Sequence, residues 1–177
     1  TNWDKEDPTL HESDVPPMTR FLVDQYTDSD ESSIGHKVMF FDIEVEVTEG
    51  FPDVQKAHNP ITSIALYDYA TEKYYTYCYD PHKRIENYEK GEEVVEFYET
   101  EYEMLNKFFQ KYLEIRPTII SGWNSEFFDI PYLYNRAVRV LGPEIANLLS
   151  PISKVIYSDY KKKHTIAGVS SLDYLQL

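Results

Sequence analysis

Two carboxylates separated by one apolar residue, Asp42-Ile43-Glu44, stand directly behind the run Val38-Met39-Phe40-Phe41. On an extended strand, residues two apart share a face, so both carboxylates point one way and Ile43 points the other. Side by side next to an apolar core, such groups repel each other and resist desolvation unless a counter-charge neutralises them. Their hard oxygens suit Mg2+ or Mn2+. An isolated Asp-x-Glu is usually a solvated strand end; the apolar run in front of this one sets it beside a core. A third carboxylate, Asp129, closes the segment Gly122-Trp123-Asn124-Ser125-Glu126-Phe127-Phe128, where a strand gives way to a helix. Asp is also a good helix N-cap, and the two roles are compatible, since a carboxylate fixed at a helix start is already oriented.

Other residues carry weaker signals. Phe51 lies in the turn Gly50-Phe51-Pro52 after the Asp42 strand. It can anchor the loop on the sheet, or stack against bases of a single strand. Trp123, Phe127 and Phe128 read as core, with base stacking as the alternative. Lys161-Lys162-Lys163-His164 reads as a solvated tip, with phosphate contact as the alternative. The 5 His residues fall at no metal-ligand spacing, which argues against zinc. Walker A, Gly-x-Gly-x-x-Gly and Gly-x-Ser-x-Gly patterns are absent from the sequence.

The elements that must position these groups follow from periodicity. Residues 38–47 predict a strand, buried on both faces at first and then half-exposed. Strands are also predicted over Ile61–Tyr67 and Tyr74–Tyr79, joined by a short polar hairpin loop, with a weaker one over Val94–Tyr98. Thr100 and Glu103 fit a capping box. The helix behind them buries Leu105, Phe108, Phe109, Tyr112 and Leu113, and ends at Pro117. A short strand runs over residues 118–123. A second helix, about Asp129–Leu141, presents Ile130, Leu133, Tyr134, Ala137, Val138 and Leu141 before Gly142-Pro143 stops it. A short helix is expected near 144–149, hairpin strands near 153–157 and 165–167, and an extended run over 169–174. Three antiparallel strands, a helix, a strand and a helix make an α/β chain with a mixed central sheet flanked by helices, the pattern of the ribonuclease H-like fold.

Composition sets the bounds. The 177 residues are 42% hydrophobic, enough for one compact domain with a core. The single Cys78 excludes an internal disulfide framework. No apolar run approaches the roughly 20 residues that cross a bilayer, so no membrane partner is expected. The net charge of −14 argues against a stand-alone nucleic-acid binder. A DNA-directed role then requires bound divalent metal to reverse the local field, or basic surface elsewhere in a larger protein. Residues 1–35, with Pro8, Pro16, Pro17 and the acidic stretch 28–33, read as a lead-in from a preceding domain with a short helix near 18–25. Residues 36–177 read as the functional domain.

The ordered set of motifs resembles a known family. Phe41-Asp42-Ile43-Glu44 is similar to the first exonuclease motif of family B DNA polymerases, Asp-Ile-Glu. Gly122-Trp123-Asn124 through Asp129-Ile130-Pro131-Tyr132-Leu133, followed by Tyr134-Asn135-Arg136, resembles the second. Gly50-Phe51-Pro52, Pro60-Ile61-Thr62, Leu149-Ser150-Pro151 and Ser171-Leu172-Asp173-Tyr174 extend the likeness to replicative polymerases of large tailed phages. The resemblance implies a 3′→5′ proofreading exonuclease of the DEDD type. It implies two divalent metal ions, Mg2+ or Mn2+, held by Asp42, Glu44 and Asp129 as catalytic residues. It implies Phe51, Asn124 and Phe128 as substrate contacts, and a single-stranded DNA 3′ end that loses one deoxynucleoside monophosphate at a time. The partners implied are the remaining polymerase domains and, through the full-length protein, a sliding clamp, in the host cytoplasm. The family's third motif, Tyr-x-x-x-Asp, supplies a fourth carboxylate and a Tyr that orients the attacking water. It is missing up to Leu177, and Asp159 and Asp173 lie outside any such pattern. The expectation is therefore a domain truncated at its C-terminus, weak on its own. A stand-alone nuclease for DNA or RNA, and a non-catalytic acidic interaction domain on the same fold, are the alternatives.

Overall fold

A computed structural model describes residues 15–30, 34–48 and 50–176. Residues 1–34 and 35–177 are separate compact units. In the first, the described residues contain one helix, α1 (Pro17–Tyr26), which starts on proline, where the missing N–H costs nothing. None of its residues is buried, and Met18, Phe21, Leu22 and Tyr26 form an exposed apolar stripe. Residues 1–14 of the lead-in and Glu31, Ser32 and Ser33 of its acidic stretch lie outside the described residues.

The second unit is built on a mixed sheet. Strand β1 (Val38–Val45) pairs antiparallel with β2 (Ile61–Asp68), and β2 with β3 (Lys73–Tyr79). The chain then makes β4 (Tyr88–Lys90) and β5 (Glu93–Tyr98), an antiparallel pair whose second strand lies parallel to β3. After helix α2 (Glu101–Ile115), β6 (Ile119–Gly122) enters parallel to β1 on its other side. Helix α3 (Asp129–Val140) follows, then α4 (Pro143–Ala146) and a 3-10 turn over Asn147–Leu149. A separate hairpin, β7 (Val155–Ser158) and β8 (Lys163–Ile166), precedes β9 (Ser170–Asp173). β9 returns to the main sheet parallel to β6, giving the order β4-β5-β3-β2-β1-β6-β9.

The predicted elements are present near their expected bounds, with three corrections. β4 was not anticipated, because Tyr88, Glu89 and Lys90 are all exposed and carry no alternating pattern. Leu113, expected in the buried stripe of α2, is 40% exposed, while Met104 and Ile115 are buried. Thr100 Oγ1 accepts the Glu103 N–H at 3.2 Å as a capping box requires, but the Glu103 carboxylate accepts from the Thr100 hydroxyl, 2.8 Å, rather than from its backbone. Helix α2 ends through Arg116 in the left-handed region, φ 50°, immediately before Pro117.

The core lies on one face of the sheet. Met39, Phe41 and Ile43 of β1, Ile64 and Leu66 of β2, and Ile120 of β6 meet Leu105, Phe108 and Tyr112 of α2 and Ile130, Leu133 and Ala137 of α3. The alternation of β1 turns Phe40, Asp42 and Glu44 to the other face, where both carboxylates are exposed. There Tyr67 packs between Phe40 and Tyr74, at centroid distances of 6.2 and 4.5 Å.

Candidate active site

The end of β1 sets the position of the acidic pair. Opposite Asp42 and Glu44 on β2 stand Ala65 and Ser63, side chains too short to cover a carboxylate. A register irregularity between Glu44 and Val45 ends the regular pairing there. On its other edge β1 pairs with β6 only from Val38 to Phe40. Beyond that point Asp129 takes over: its Oδ1 accepts the Ile43 backbone N–H at 3.0 Å. A carboxylate 86 residues away in sequence is thereby fastened to the peptide between Asp42 and Glu44.

The loop from β6 to α3 delivers Asp129. Gly122 is required by close approach, since a Cβ there would lie 2.7 Å from the Phe41 carbonyl oxygen. Asn124 adopts φ 56°, a conformation Asn tolerates better than most residues. Its carbonyl accepts from the Phe127 and Phe128 N–H groups at 3.2 and 3.0 Å, and the Ser125 carbonyl accepts from Ile130 at 2.9 Å. The N-cap position belongs to Phe128, which has no polar side chain to offer. Asp129 is the first helical residue, and its carboxylate turns to β1 instead of capping. It is 2% exposed. Burial, reinforced by the negative charge of Asp42, pushes its carboxyl up to about 7, against the opposing pull of the Ile43 N–H.

Two carboxylates frame this loop, Asp173 held by backbone N–H groups and Glu126 by side chains. Asp173, at the end of β9, accepts from Asn124 N (2.8 Å) and Leu175 N (2.9 Å) through Oδ1, and from Glu126 N (3.0 Å) through Oδ2. Both of its oxygens are thus engaged by backbone N–H groups. The Glu126 carboxylate accepts from Lys163 of β8 at 2.5 Å and from Gln176 at 3.2 Å. Asp159 is exposed beside Lys162 at the turn of the β7–β8 hairpin.

The aromatic residues depart from a simple core. Trp123 and Phe127 are 67% and 44% exposed, because the loop carries them past the end of the sheet. Phe128 is half-buried between Phe51 (5.3 Å) and Tyr132 (5.6 Å). Phe51 is itself 80% exposed. The basic tip is only half solvated: Lys161 and Lys162 are exposed, whereas His164 is buried between the rings of Tyr134 and Tyr157, and burial lowers its pKa.

A polar stripe of α3 holds the segment that follows Phe51. Tyr132 Oη donates to the Asn59 carbonyl, Asn135 to Val54, and Arg136 to Ala57 and His58. Arg136 also meets Glu101 in a two-point ion pair, 2.8 and 2.6 Å, and Glu101 accepts the Ile61 N–H. Glu101 gave no signal by residue type or spacing, and the role of Asp173 was hidden because its partners are backbone groups.

The geometry agrees with what this chain is similar to. Residues 20–177 match the family model described as DNA polymerase family B, exonuclease domain. The chain belongs to that family. It is 32% identical over 168 residues to the DNA-directed DNA polymerase of Escherichia phage RB69, covering 80% of this chain and 19% of that polymerase. The enzyme of the same name from Enterobacteria phage T4 is 33% identical over 162 residues, 76% of this chain and 18% of that one. A DNA polymerase of Pyrococcus glycovorans is 30% identical over 131 residues, 74% of this chain and 15% of that one. The family B exonuclease domain here thus spans about a fifth of the length of the phage polymerases it matches.

The family implies divalent metal, and the residues fit it by donor chemistry: Asp42 and Glu44 offer exposed hard oxygens, and Asp129 is a buried carboxyl fastened to the backbone between them. Among the described residues no three Asp, Glu, His or Cys side chains are grouped closely enough to hold a metal ion. No described helix is long and apolar enough to cross a membrane.

Proposed function

We propose that this chain is the 3′→5′ proofreading exonuclease portion of a DNA-directed DNA polymerase acting on a single-stranded DNA 3′ end. The observation that carries the reading is the bond from the Ile43 N–H to Asp129, which brings a third carboxylate to the backbone between Asp42 and Glu44. In this reading Asp42, Glu44 and Asp129 hold two divalent ions, Mg2+ or Mn2+. Such ions, when bound, lower the pKa of water to make a nucleophile and neutralise charge on the attacked phosphate. The protein's share is placement. Asp42 and Glu44 are held at strand spacing on one face, and Asp129 is fixed by its hydrogen bond so that it does not have to reorganise. Phe51, backed by Phe128, offers an exposed ring on which a terminal base stacks, and Asn124 contacts the same strand.

The remaining partners belong to the same proposal. Residues 1–35 lead in from a preceding domain, and 36–177 form the exonuclease part. The fourth carboxylate, its Tyr, the other polymerase domains and any clamp contact come from residues outside these 177. The site works in the cytoplasm, that of the host if the chain is phage-encoded. The test is excision of a 5′-labelled single-stranded oligonucleotide by the longer polymerase in Mg2+. Asp42→Ala and Glu44→Ala are each expected to slow it by roughly 100-fold or more while polymerisation is retained. Undiminished excision by Asp42→Ala sinks the reading.

A further inference from the structure

Asp173 carries no role in the chemistry proposed above, yet it is among the most completely engaged carboxylates in the molecule. It is 4% exposed and accepts three backbone N–H groups, two of them from the loop that delivers Asp129. The loop's own bonds continue the connection. The Asn124 N–H is held by Asp173 and the Asn124 carbonyl holds Phe127 and Phe128, while the Ser125 carbonyl holds Ile130. Asp129 sits inside that ladder, and its carboxylate reaches Ile43 at the far side. The loop is therefore clamped between the end of β9 and the end of β1. Gly122, pressed against the Phe41 carbonyl, leaves it no slack at the start.

We propose that Asp173 is a positioning residue for the exonuclease site: its carboxylate sets the β6–α3 loop and thereby the place of Asp129 relative to Asp42 and Glu44. Three charge-assisted bonds to backbone N–H groups are stronger than neutral ones. Losing them leaves the buried Glu126 N–H and the half-buried Asn124 N–H without their acceptor. A conformer of Asn124 at φ 56° then has less to hold it. A displacement of about 1 Å at a reacting centre costs roughly 100-fold in rate. Asp173 acts through backbone N–H groups of the loop, so its loss is expected to change rate and metal demand and to spare DNA affinity.

The inference rests on the proposed exonuclease reading, and the experiment separates the two. In the longer polymerase, Asp173→Asn keeps one oxygen acceptor and turns an amide NH2 toward a loop N–H. Single-turnover excision is expected to fall roughly 10- to 100-fold. The Mn2+ concentration for half-maximal rate is expected to rise several-fold, with single-strand binding unchanged. Asp173→Ser, which keeps a shorter acceptor, is read the same way should Asp173→Asn not fold. In the unaltered protein, the Asn124 and Glu126 amides are expected to exchange with solvent slowly, and fast exchange at both overturns the proposal by itself. A variant that lowers the thermal midpoint but keeps wild-type excision rate and Mn2+ dependence also overturns it, leaving Asp173 a stability residue. If Asp42→Ala still excises normally, the exonuclease reading has failed instead. Loss of excision in Asp42→Ala with none in Asp173→Asn sinks only the positioning role.

Discussion

Asp42 and Asp129 carry the same functional group in opposite surroundings, and the difference decides what each replacement does. Asp42 is exposed on the open face of β1, and its carboxylate makes no hydrogen bond among the described residues. Asp42→Ala is therefore expected to change unfolding free energy by less than about 0.5 kcal/mol, checked by urea titration, even as excision is lost. Asp129 is buried and its carboxyl is displaced from 3.8 to about 7. Because the folded state keeps this proton after the unfolded chain has released it, stability is full below about pH 4. It declines as pH rises toward 7, by on the order of 4 kcal/mol. Asp129→Asn removes the ionisation and keeps an oxygen for the Ile43 N–H. In EDTA at pH 8 its urea midpoint is expected to exceed that of the unaltered protein, with the gap closing near pH 4. A lower midpoint at pH 8 refutes this. A carboxylate that weakens the metal-free fold at the pH where it is used marks a residue retained for chemistry.

At the scale of elements, α3 does two jobs: its first residue supplies Asp129, and its polar stripe fixes the segment behind Phe51. The Arg136–Glu101 pair joins that stripe to α2 with side chains only 13% and 9% exposed. Arg136→Ala strands the Glu101 carboxylate and the carbonyls of Ala57 and His58, and is expected to cost about 3–5 kcal/mol by urea unfolding. Arg136→Lys keeps the charge but loses the two-point geometry, and should fall between. A cost for Arg136→Ala under about 1 kcal/mol refutes the buried-pair account. Elements with a strong period were legible in the sequence: the β1 run, the capped α2 and the stripe of α3 all lie within a residue or two of expectation. β4 was not, for its three residues are solvated and its partner is set only when β5 lies parallel to β3. Trp123 and Phe127 were misread because hydrophobicity states a preference for burial and not whether an element is present to cover the side chain. Asp42, Glu44 and Asp129 stood out by residue type, and the structure ties Asp129 to the Ile43 N–H. The clamp by Asp173 was not, because its loop partners are backbone N–H groups up to 49 residues away, and every residue but proline carries one.

For the whole molecule, charge is the deciding quantity. With 17 basic against 31 acidic residues, the chain's net charge of −14 opposes the approach of a phosphate backbone. The site face adds to the difficulty, since Asp42 and Glu44 stand exposed on a face of the sheet away from the core. Carboxylates so exposed are reached by water, which weakens the electrostatic gain that a dry site provides. The 177 residues by themselves are thus expected to bind a single-stranded oligonucleotide too weakly to detect at about 0.15 M salt without divalent ions. Mn2+ should strengthen binding, because it supplies at the acidic pair the positive charge that the side chains lack. Excision by this chain should be at least roughly 100-fold slower than by a longer polymerase that carries the fourth carboxylate proposed above. Both are read in one experiment, with a fluorescent oligonucleotide followed by anisotropy and by gel at matched Mn2+. Rapid 3′→5′ digestion by the purified chain, abolished by Asp42→Ala, would show that the three carboxylates need no help from outside. The separation of a metal-gathering acidic surface from a DNA-gathering basic one would then be wrong.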